Sequence, residues 1–355
     1  MTSIITDSYA VHFNTTGYEE LNNYLKDNRF SKIFIIVDNN THVHCLPHFM
    51  SKLETDLDCE IIEIEAGEAN KNIDTCVGVW NALSELGADR KSLIINVGGG
   101  VVTDLGGFVA CTFKRGLKYI NVPTSLLAMV DASVGGKTGV DLGALKNQVG
   151  VISSGDMVLV DTSFLDTLPQ NHLKSGLAEM LKHGLIYDPL YWSKFLDLNN
   201  LSLRDLDDLI HESVEIKKTI VTEDPFEHGL RKTLNFGHTL GHAIESYFLS
   251  ETDKQELLHG EAIAIGMIME TYISAELLDF PKNEMETIKQ TFLKIFNKVS
   301  IEASDHDAII DLLKYDKKNE HGNINFVLLE KIGVPKIDCL VENELLIKAF
   351  EYYKS

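Results

Sequence analysis

The stretch Asn96–Phe108, NVGGGVVTDLGGF, decides the fold that the sequence predicts. It follows an apolar, β-branched run at Leu93–Val97, turns on the glycines Gly98–Gly100 and enters an apolar helical pattern at Val101. Glycines allow backbone amides to approach an anion closely, and the start of a helix adds the positive end of its dipole. The pattern indicates either a phosphate cradle or only a tight strand-to-helix turn, because it lacks the G-x-G-x-x-G spacing.

Similar strand-like runs lie on both sides of this turn, and helical patterns separate most of them. The predicted strands share a short length and a β-branched composition: Lys32–Asp38, Cys59–Ile64, Leu93–Val97, Tyr119–Val122 and Met157–Asp161. Parallel neighbours need a crossover connection, which a helix usually supplies. We therefore expect an α/β domain with a mostly parallel sheet, an architecture that often binds nucleotides.

The second half of the chain is richer in long amphipathic helical patterns. Its predicted elements are the helices Leu206–Val221, Leu230–Tyr247 and Leu258–Leu278 and a hairpin at Ile324–Val341. We expect an α/β domain at residues 1–172 and a mainly α-helical domain at residues 173–355. A ligand site is expected in the cleft between them.

Composition narrows the classes of function. The 355 residues, 44% hydrophobic and 24% charged, are enough for two cores. A formal net charge of −21 argues against a nucleic acid or a membrane surface as partner, because proteins that bind polyanions present a basic face. Five scattered cysteines without a C-x-x-C pair are typical of thiols in a reducing compartment. With no secretory leader pattern and no long apolar run, the sequence predicts a cytoplasmic protein.

Two loops that follow predicted strands offer polar side chains to a nucleotide. In Ala66–Lys71 (AGEANK), Glu68 and Lys71 could meet a phosphate or a ribose, although a solvated turn with a surface lysine has the same pattern. In Asp38–Asn40, a carboxylate could accept ribose hydroxyls, although an ordinary Asx turn is the alternative.

A glycine-rich region downstream carries cations in an apolar setting. The stretch Val122–Gly150 contains Asp131, Lys137, Lys146 and Asn147 among Gly, Val and Ala. Surface lysines usually lie among other polar residues, so this context indicates an anion held in a partly desolvated site.

Histidines and a glutamate in the second half suggest a metal site. His238 and His242 lie four residues apart on one helical face, and His259 follows in LLHGEA. That spacing predicts His238 and His242 as ligands of one ion. Glu179 is a further donor; with Lys182 it shares a helix face, where an ordinary exposed ion pair is the alternative.

In combination, the stretches GGGVVTDLGGF, PTSLLAMVDASVGGKTGV, SGLAEMLKHG, GLRKTLNFGHTLGHAIE and LHGEA resemble the 3-dehydroquinate synthase family of sugar-phosphate cyclases over nearly the whole chain. The resemblance implies an N-terminal NAD-binding α/β domain, a C-terminal helical domain that binds metal and substrate, and a homodimer. It also implies NAD and one divalent metal, zinc or cobalt. The implied reaction converts 3-deoxy-D-arabino-heptulosonate 7-phosphate to 3-dehydroquinate and phosphate, a step of the shikimate pathway, through transient oxidation by NAD, phosphate elimination, reduction and intramolecular aldol closure.

The resemblance also implies roles for particular residues. It makes Glu179, His238 and His259 the metal ligands and moves His242 to proton transfer on the substrate. It assigns to NAD the residues Asp38, Asn40, Gly67, Glu68, Lys71, Gly99, Gly100, Val101, Val102, Thr103, Asp104, Thr124, Ser125, Lys137, Lys146, Phe164, Leu165, Asp166 and Thr167. It assigns to the substrate Asp131, Lys137, Asn147, Lys182, Lys217, Arg231 and Asn235, Lys317 or Lys318 for the phosphate, and Arg115 from the other subunit of a dimer.

Two other functions share parts of this pattern. A related cyclase would make 2-deoxy-scyllo-inosose or a valiolone, although Asn235 and His242 are similar to the dehydroquinate type. A metal-dependent polyol dehydrogenase of related fold would release NADH and needs no basic pocket. The chain departs from the family at Thr103, where glycine is common, and at Asp141–Leu145.

Overall fold

The computed structural model describes residues 1–143, 145–196, 203–313 and 324–355. The chain divides into two compact units, Met1–Leu173 and Lys174–Ser355. In these described ranges, no helix combines the length and the apolar character that a membrane crossing requires.

A seven-stranded sheet organises the first unit. The strands of the chain's first half are β1 (Ile4–Ile5), β2 (Ala10–Phe13), β3 (Ile33–Asp38), β4 (Cys59–Ile64), β5 (Leu93–Gly98), β6 (Lys118–Pro123), β7 (Lys137–Leu142), β8 (Leu145–Ile152) and β9 (Met157–Val160). The sheet order is β1-β2-β9-β6-β5-β3-β4. Its neighbours are parallel except β1 with β2, so the predicted mostly parallel sheet is confirmed.

Continuous apolar runs place the central strands in the interior. Every residue from Ile33 to Val37 is fully buried, because helices cover both faces of a parallel sheet. The helices of this unit are α1 (Asn14–Asp27), α2 (Asn39–His44), α3 (Leu46–Lys52), α4 (Ile73–Glu85) and α5 (Gly100–Thr112). Buried side chains of α4 and α5, such as Leu83 and Leu105, form one core with Phe34 of β3.

An antiparallel hairpin, β7 with β8, packs on α5 in the same unit. Gly107 of α5 allows this contact, since a Cβ there would lie 2.5 Å from Thr138 Cγ2. The sequence patterns did not predict this hairpin, because its residues are glycine-rich and lack a clear alternation.

The second unit is mainly helical, as predicted. The helices of the second half are α6 (Gln170–Ile186), α7 (Pro189–Ser193), α8 (Leu203–Glu223), α9 (His238–Ser250), α10 (His259–Leu277), α11 (Lys282–Ile295), α12 (His306–Leu312) and α13 (Asn343–Lys354). The predicted hairpin is confirmed as β10 (Asn325–Lys331) paired with β11 (Val334–Leu340).

The single helix predicted for Leu230–Tyr247 is wrong. A 3₁₀ turn occupies Leu230–Asn235, and α9 starts only at His238. Gly237 separates them with a left-handed φ of 78°, and a Cβ at Gly237 would lie 2.3 Å from Met267 Cγ on α10. Glycine permits both this backbone conformation and the close approach. The predicted helix is therefore interrupted at Gly237, and His238 is the first residue of α9.

Candidate active site

Close helix packing in the second unit brings the predicted metal ligands together. The Gly260 amide donates to Ser175 Oγ at 2.8 Å, and a Cβ at Gly260 would lie only 2.2 Å from the Ser175 carbonyl oxygen. The start of α10 therefore rests directly on α6. Glu179 lies about one turn after Ser175 and His259 immediately precedes Gly260, so the contact brings their side chains to one place.

The donor atoms of three side chains converge. Glu179 Oε1 lies 3.5 Å from His238 Nε2 and 3.6 Å from His259 Nε2, and Glu179 is fully buried. Ligand nitrogens of His238, His242 and His259 all lie within 4.8 Å of one another. Nitrogen and carboxylate donors at these separations fit a tetrahedral or five-coordinate divalent ion that keeps an open position.

The other polar atoms of these three side chains have hydrogen-bonding partners of their own. His238 Nδ1 lies 3.1 Å from the Phe236 carbonyl oxygen, and His259 Nδ1 lies 3.3 Å from Glu245 Oε2. Lys182 Nζ donates to Glu179 Oε2. An Nδ1 that donates to an oxygen leaves the Nε2 lone pair for a cation, which is how second-shell partners orient metal-binding histidines.

Two carboxylates dominate the electrostatics around His259. Burial alone would lower the pKa of its imidazole, but Glu245 and Glu179 outweigh that effect and raise the pKa to about 9. A positively charged group at this point is therefore stabilised, and a divalent ion would compete with the proton.

His242 lies beside this group. Its ring centroid is 5.2 Å from that of His238 and 5.6 Å from that of His259. The structure thus brings together both sets of ligands that the sequence suggested, the His238–His242 pair and the triad of Glu179, His238 and His259. His242 is therefore close enough to serve either as a metal ligand or as a neighbour of the two ligand histidines.

Several predicted substrate cations in this unit are buried. Lys182 is 1% exposed, and Lys217 and Arg231 are also buried. The alternative of an ordinary exposed ion pair for Glu179 and Lys182 is therefore wrong. A buried cation is costly unless it is compensated, and Glu179 compensates Lys182.

Sequence reasoning missed Glu227, which the structure places beside Asn235. Asn235 Nδ2 donates to Glu227 Oε1 at 2.9 Å, and Glu227 has a left-handed φ of 62°, unusual for a side chain of this type. The turn that holds it is tied to Asp224, whose carboxylate accepts the amides of His228, Gly229 and Arg231 at 2.7–3.0 Å. The acidic residues and the glycine of this segment were the sequence features that could have drawn attention to it.

In the first unit, the glycine-rich turn joins β5 to α5 as predicted. A Cβ at Gly98 would lie 2.4 Å from Val102 Cβ, so a larger residue does not fit there. Gly99 is the N-cap of α5 and offers no side chain to the first amides of the helix, while Thr124 at the end of β6 donates its amide to the Gly98 carbonyl oxygen at 3.0 Å. An anion can supply the missing cap.

Thr103, the departure from the family pattern, does not obstruct this turn. Its hydroxyl donates to the carbonyl oxygens of Gly99 and Gly100, both at 3.2 Å, and the residue is buried. The side chain folds back onto its own helix, where Ser and Thr often bond in this way. Val101, Val102 and Asp104 lie in the same first turns of α5.

Lys71 is not the surface lysine of a solvated turn, and that alternative is wrong. It is 4% exposed, and its Nζ donates to Asp104 Oδ2 at 2.6 Å and to Asn147 Oδ1 at 2.7 Å. Burial alone would lower the pKa of this amine, but Asp104 and Glu68 raise it above its ordinary value. Lys146 Nζ lies 3.4 Å from Glu68 Oε1, so five of the predicted residues form one polar cluster.

The other predicted cofactor residues lie at carboxyl ends of neighbouring strands. Asp38 ends β3 and caps α2 through Thr41, which is the Asx-type role, while Asn40 is exposed. Gly67 has a φ of 105° with open space around it. Thr124 and Ser125 follow β6, and the 3₁₀ turn Thr162–Thr167, which holds Phe164, Leu165, Asp166 and Thr167, follows β9. This edge of a parallel sheet is where nucleotides usually bind.

The remaining predicted residues are spread over the first unit or lie outside the described residues. Asp131 lies in the turn Ala128–Ala132, and Lys137 is the exposed first residue of β7. Arg115 is exposed after α5 with a left-handed φ of 73°. Lys317 and Lys318 lie outside the described residues.

The sequence matches one family along most of its length. Residues 61–175 match the family described as 3-dehydroquinate synthase N-terminal, and residues 176–319 match that described as 3-dehydroquinate synthase C-terminal. A 3-dehydroquinate synthase of Parabacteroides distasonis is 40% identical over 337 residues, which cover 94% of this chain and 95% of that protein.

Solved structures of two cyclases share the fold. The crystal structure of a 2-deoxy-scyllo-inosose synthase complexed with carbaglucose-6-phosphate, NAD⁺ and Co²⁺ has a TM-score of 0.84 at 27% identity, covering 98% of this chain and 99% of that one. A 2-epi-5-epi-valiolone synthase from Streptomyces hygroscopicus, with NAD⁺ and Zn²⁺ bound, also has a TM-score of 0.84 at 24% identity, covering 100% and 99%. Matched along both units and by a 40% identical relative, this chain belongs to the 3-dehydroquinate synthase family.

Proposed function

We propose that this protein converts 3-deoxy-D-arabino-heptulosonate 7-phosphate to 3-dehydroquinate and phosphate, with NAD and one divalent ion, zinc or cobalt, as cofactors. The observation that carries the proposal is the convergence of Glu179 Oε1 with the Nε2 atoms of His238 and His259, each backed by an outer partner. Family membership supplies the reaction, and the site has the donors and cations that the reaction requires.

We assign NAD to residues 1–172. The start of α5 at Gly100, which has no side-chain cap, would hold the pyrophosphate, and the cluster around Lys71 would fix the loop beside it. The strand-end residues Asp38, Thr124 and Thr167 would contact the rest of the dinucleotide. NAD supplies a hydride acceptor that is restored before the product leaves, so no net oxidation occurs.

We assign the metal and most of the substrate to residues 173–355. Glu179, His238 and His259 would hold the ion, which would supply a Lewis acid for hydroxyl and carbonyl oxygens of the substrate. His242 then remains for proton transfer on a substrate hydroxyl. Its ring lies beside those of His238 and His259, which supports a role next to a group whose acidity the ion would raise.

The substrate is a dianion or trianion in a protein of net charge −21, so cations must be concentrated locally. We propose that Lys182, Lys217 and Arg231 hold its carboxylate and phosphate, since all are withdrawn from water. Asn235, oriented by Glu227, would fix a hydroxyl. We also assign Asp131, Lys137 and Asn147 of the first unit to the substrate, and Lys146 to both the substrate and NAD.

We further propose a homodimer in which Arg115 reaches the substrate phosphate of the partner subunit. Arg115 is exposed, and both it and Lys114 adopt left-handed backbone conformations, with φ of 73° and 48°. Such strain in two successive residues is tolerated when the position of a side chain matters. A cytoplasmic location suits the five cysteines, all of which are free thiols.

The decisive experiment supplies the metal-loaded protein with substoichiometric NAD and, separately, three sugar phosphates: the heptulosonate 7-phosphate, glucose 6-phosphate and sedoheptulose 7-phosphate. We expect many turnovers per NAD, phosphate release and dehydroquinate from the first compound only. NADH accumulating in step with product would indicate a polyol dehydrogenase instead. Phosphate release from either of the other sugars would indicate a different cyclase.

A further inference from the structure

Asp161, directly after β9, carries a buried carboxylate that three elements of the first unit bind. It is 3% exposed. Tyr18 of α1 donates its hydroxyl to Oδ2 at 2.8 Å, and His48 Nε2 of α3 lies 2.8 Å from the same oxygen. Ser163 donates both its hydroxyl and its amide to Oδ1, at 2.6 and 3.1 Å.

A lysine next to Asp161 compensates its negative charge. Lys52 Nζ lies 3.6 Å from Oδ2 and 4.7 Å from the centre of the Tyr18 ring. A buried carboxylate is stable only with such compensation and with its lone pairs occupied. Burial alone would raise the pKa of Asp161, but the hydrogen bonds from Ser163, Tyr18 and His48 hold it below its ordinary value.

The segment that Asp161 holds is the 3₁₀ turn Thr162–Thr167. Asp161 is its N-cap, and Asn14 Oδ1 accepts the Thr162 amide at 3.0 Å. The ring of Phe164 packs edge-on against His48, with centroids 5.4 Å apart. A six-residue 3₁₀ turn has poor internal hydrogen bonds, so outside contacts must set its conformation.

We propose that Asp161 is a positioning residue for NAD: through Tyr18, His48 and Ser163 it holds Thr162–Thr167 in the conformation that receives the dinucleotide. The inference rests on the proposed function, which assigns Phe164, Leu165, Asp166 and Thr167 to NAD. Asp161 touches neither cofactor nor substrate in this arrangement. Its removal weakens cofactor binding and leaves the chemical step intact once NAD is saturating.

The test is isothermal titration calorimetry of NAD into the parent protein, Asp161→Asn and the control Asp156→Asn. Asp156 is a carboxylate just before β9 that pairs with Lys118. We expect Asp161→Asn to bind NAD about tenfold more weakly, as loss of hydrogen bonds to a buried charge implies, with kcat at saturating NAD within about twofold of the parent. Asp156→Asn should bind NAD like the parent.

Milder variants protect the test against unfolding of Asp161→Asn. Tyr18→Phe and Ser163→Ala each remove one hydroxyl that donates to the carboxylate, and each should weaken NAD binding by a smaller factor while kcat is retained. NAD binding unchanged in folded Asp161→Asn, or in both milder variants, would overturn the inference. A parent protein that binds no NAD would instead overturn the proposed function.

Discussion

The two units of this chain build their ligand sites by different means. In the helical unit, side chains supply the donors, and backbones in close contact at Gly260–Ser175 and Gly237–Met267 bring those side chains to one point. In the α/β unit, the ends of parallel strands supply backbone amides at Gly98–Gly100, and one buried lysine ties the loops together. The first site depends on residue identity and the second on chain path, so they should respond differently to substitution.

The largest effect is expected at the metal ligands. His259→Ala should lose bound metal and reduce kcat by more than the roughly 10–100-fold that a change in an outer-shell partner costs. Inductively coupled plasma mass spectrometry measures the bound metal, and steady-state kinetics measure kcat. The control His42→Ala, at a half-exposed histidine paired with Glu63, should keep both. Near-normal metal and activity in His259→Ala would show that the ligand assignment is incorrect.

Glycine substitutions test the role of close packing. Gly260→Ala should destabilise the protein by about 3 kcal/mol, because its Cβ would meet the Ser175 backbone, and should also weaken metal binding. Gly78→Ala on α4 has open space and should stabilise by about 0.5–1 kcal/mol. Urea unfolding compares the two, and equal effects would contradict the packing argument.

The α/β site should depend on Lys71 in a different way. Lys71→Met removes the bonds to Asp104 and Asn147 and should weaken NAD binding about tenfold while metal content stays unchanged. Lys118→Met, at an exposed lysine paired with Asp156, is the matched control. Loss of metal in Lys71→Met would contradict the assignment of the metal to side chains of the helical unit.

A mixing experiment tests whether a site needs both subunits. Arg115→Ala and His259→Ala should each be inactive, yet heterodimers would contain one complete site if Arg115 acts in trans. At equal amounts and full exchange, about a quarter of the parental activity should return. Full activity of Arg115→Ala alone, or no recovery after exchange has been confirmed by native mass spectrometry, would contradict donation across the interface.

The smallest effect concerns a buried carboxylate that is not among the proposed metal ligands. Asp305 accepts bonds from Lys254, Tyr247 and the Glu302 amide. Although burial raises its pKa, these donors outweigh burial and keep the pKa below the ordinary value. Its contribution is therefore complete above the pH near 4 where an unfolded aspartate titrates, and is lost as pH falls through the folded value.

Asp305→Asn should accordingly cost about 1–2 kcal/mol at neutral pH, and the difference from the parent should shrink below about pH 4. Denaturant unfolding at several pH values measures it. A difference that grows as the pH falls would have the wrong sign for a depressed pKa.

Much of the fold could be predicted from the sequence because local residue patterns determine many of its strands and helices. The parallel strands follow from short β-branched apolar runs and α8 follows from apolar periodicity, both of which neighbouring residues determine. The helix α10, predicted as amphipathic, is instead buried on most of its surface. Residue type and spacing predicted His238 and His242 as metal ligands. The set Glu179, His238 and His259 came from the family resemblance. Their family pattern was also visible as a combination of short stretches.

Tertiary contacts decided the rest. The break before α9 depends on Gly237 meeting Met267, thirty residues away, and no local pattern contains that distance. Lys71 is buried and links several loops because Asp104 and Asn147 accept hydrogen bonds from it and belong to other elements. Glu227 lies beside Asn235 in a backbone conformation that is unusual for glutamate. Residue type and periodicity are properties of the chain itself, whereas burial and close approach arise only when distant segments exclude water and one another.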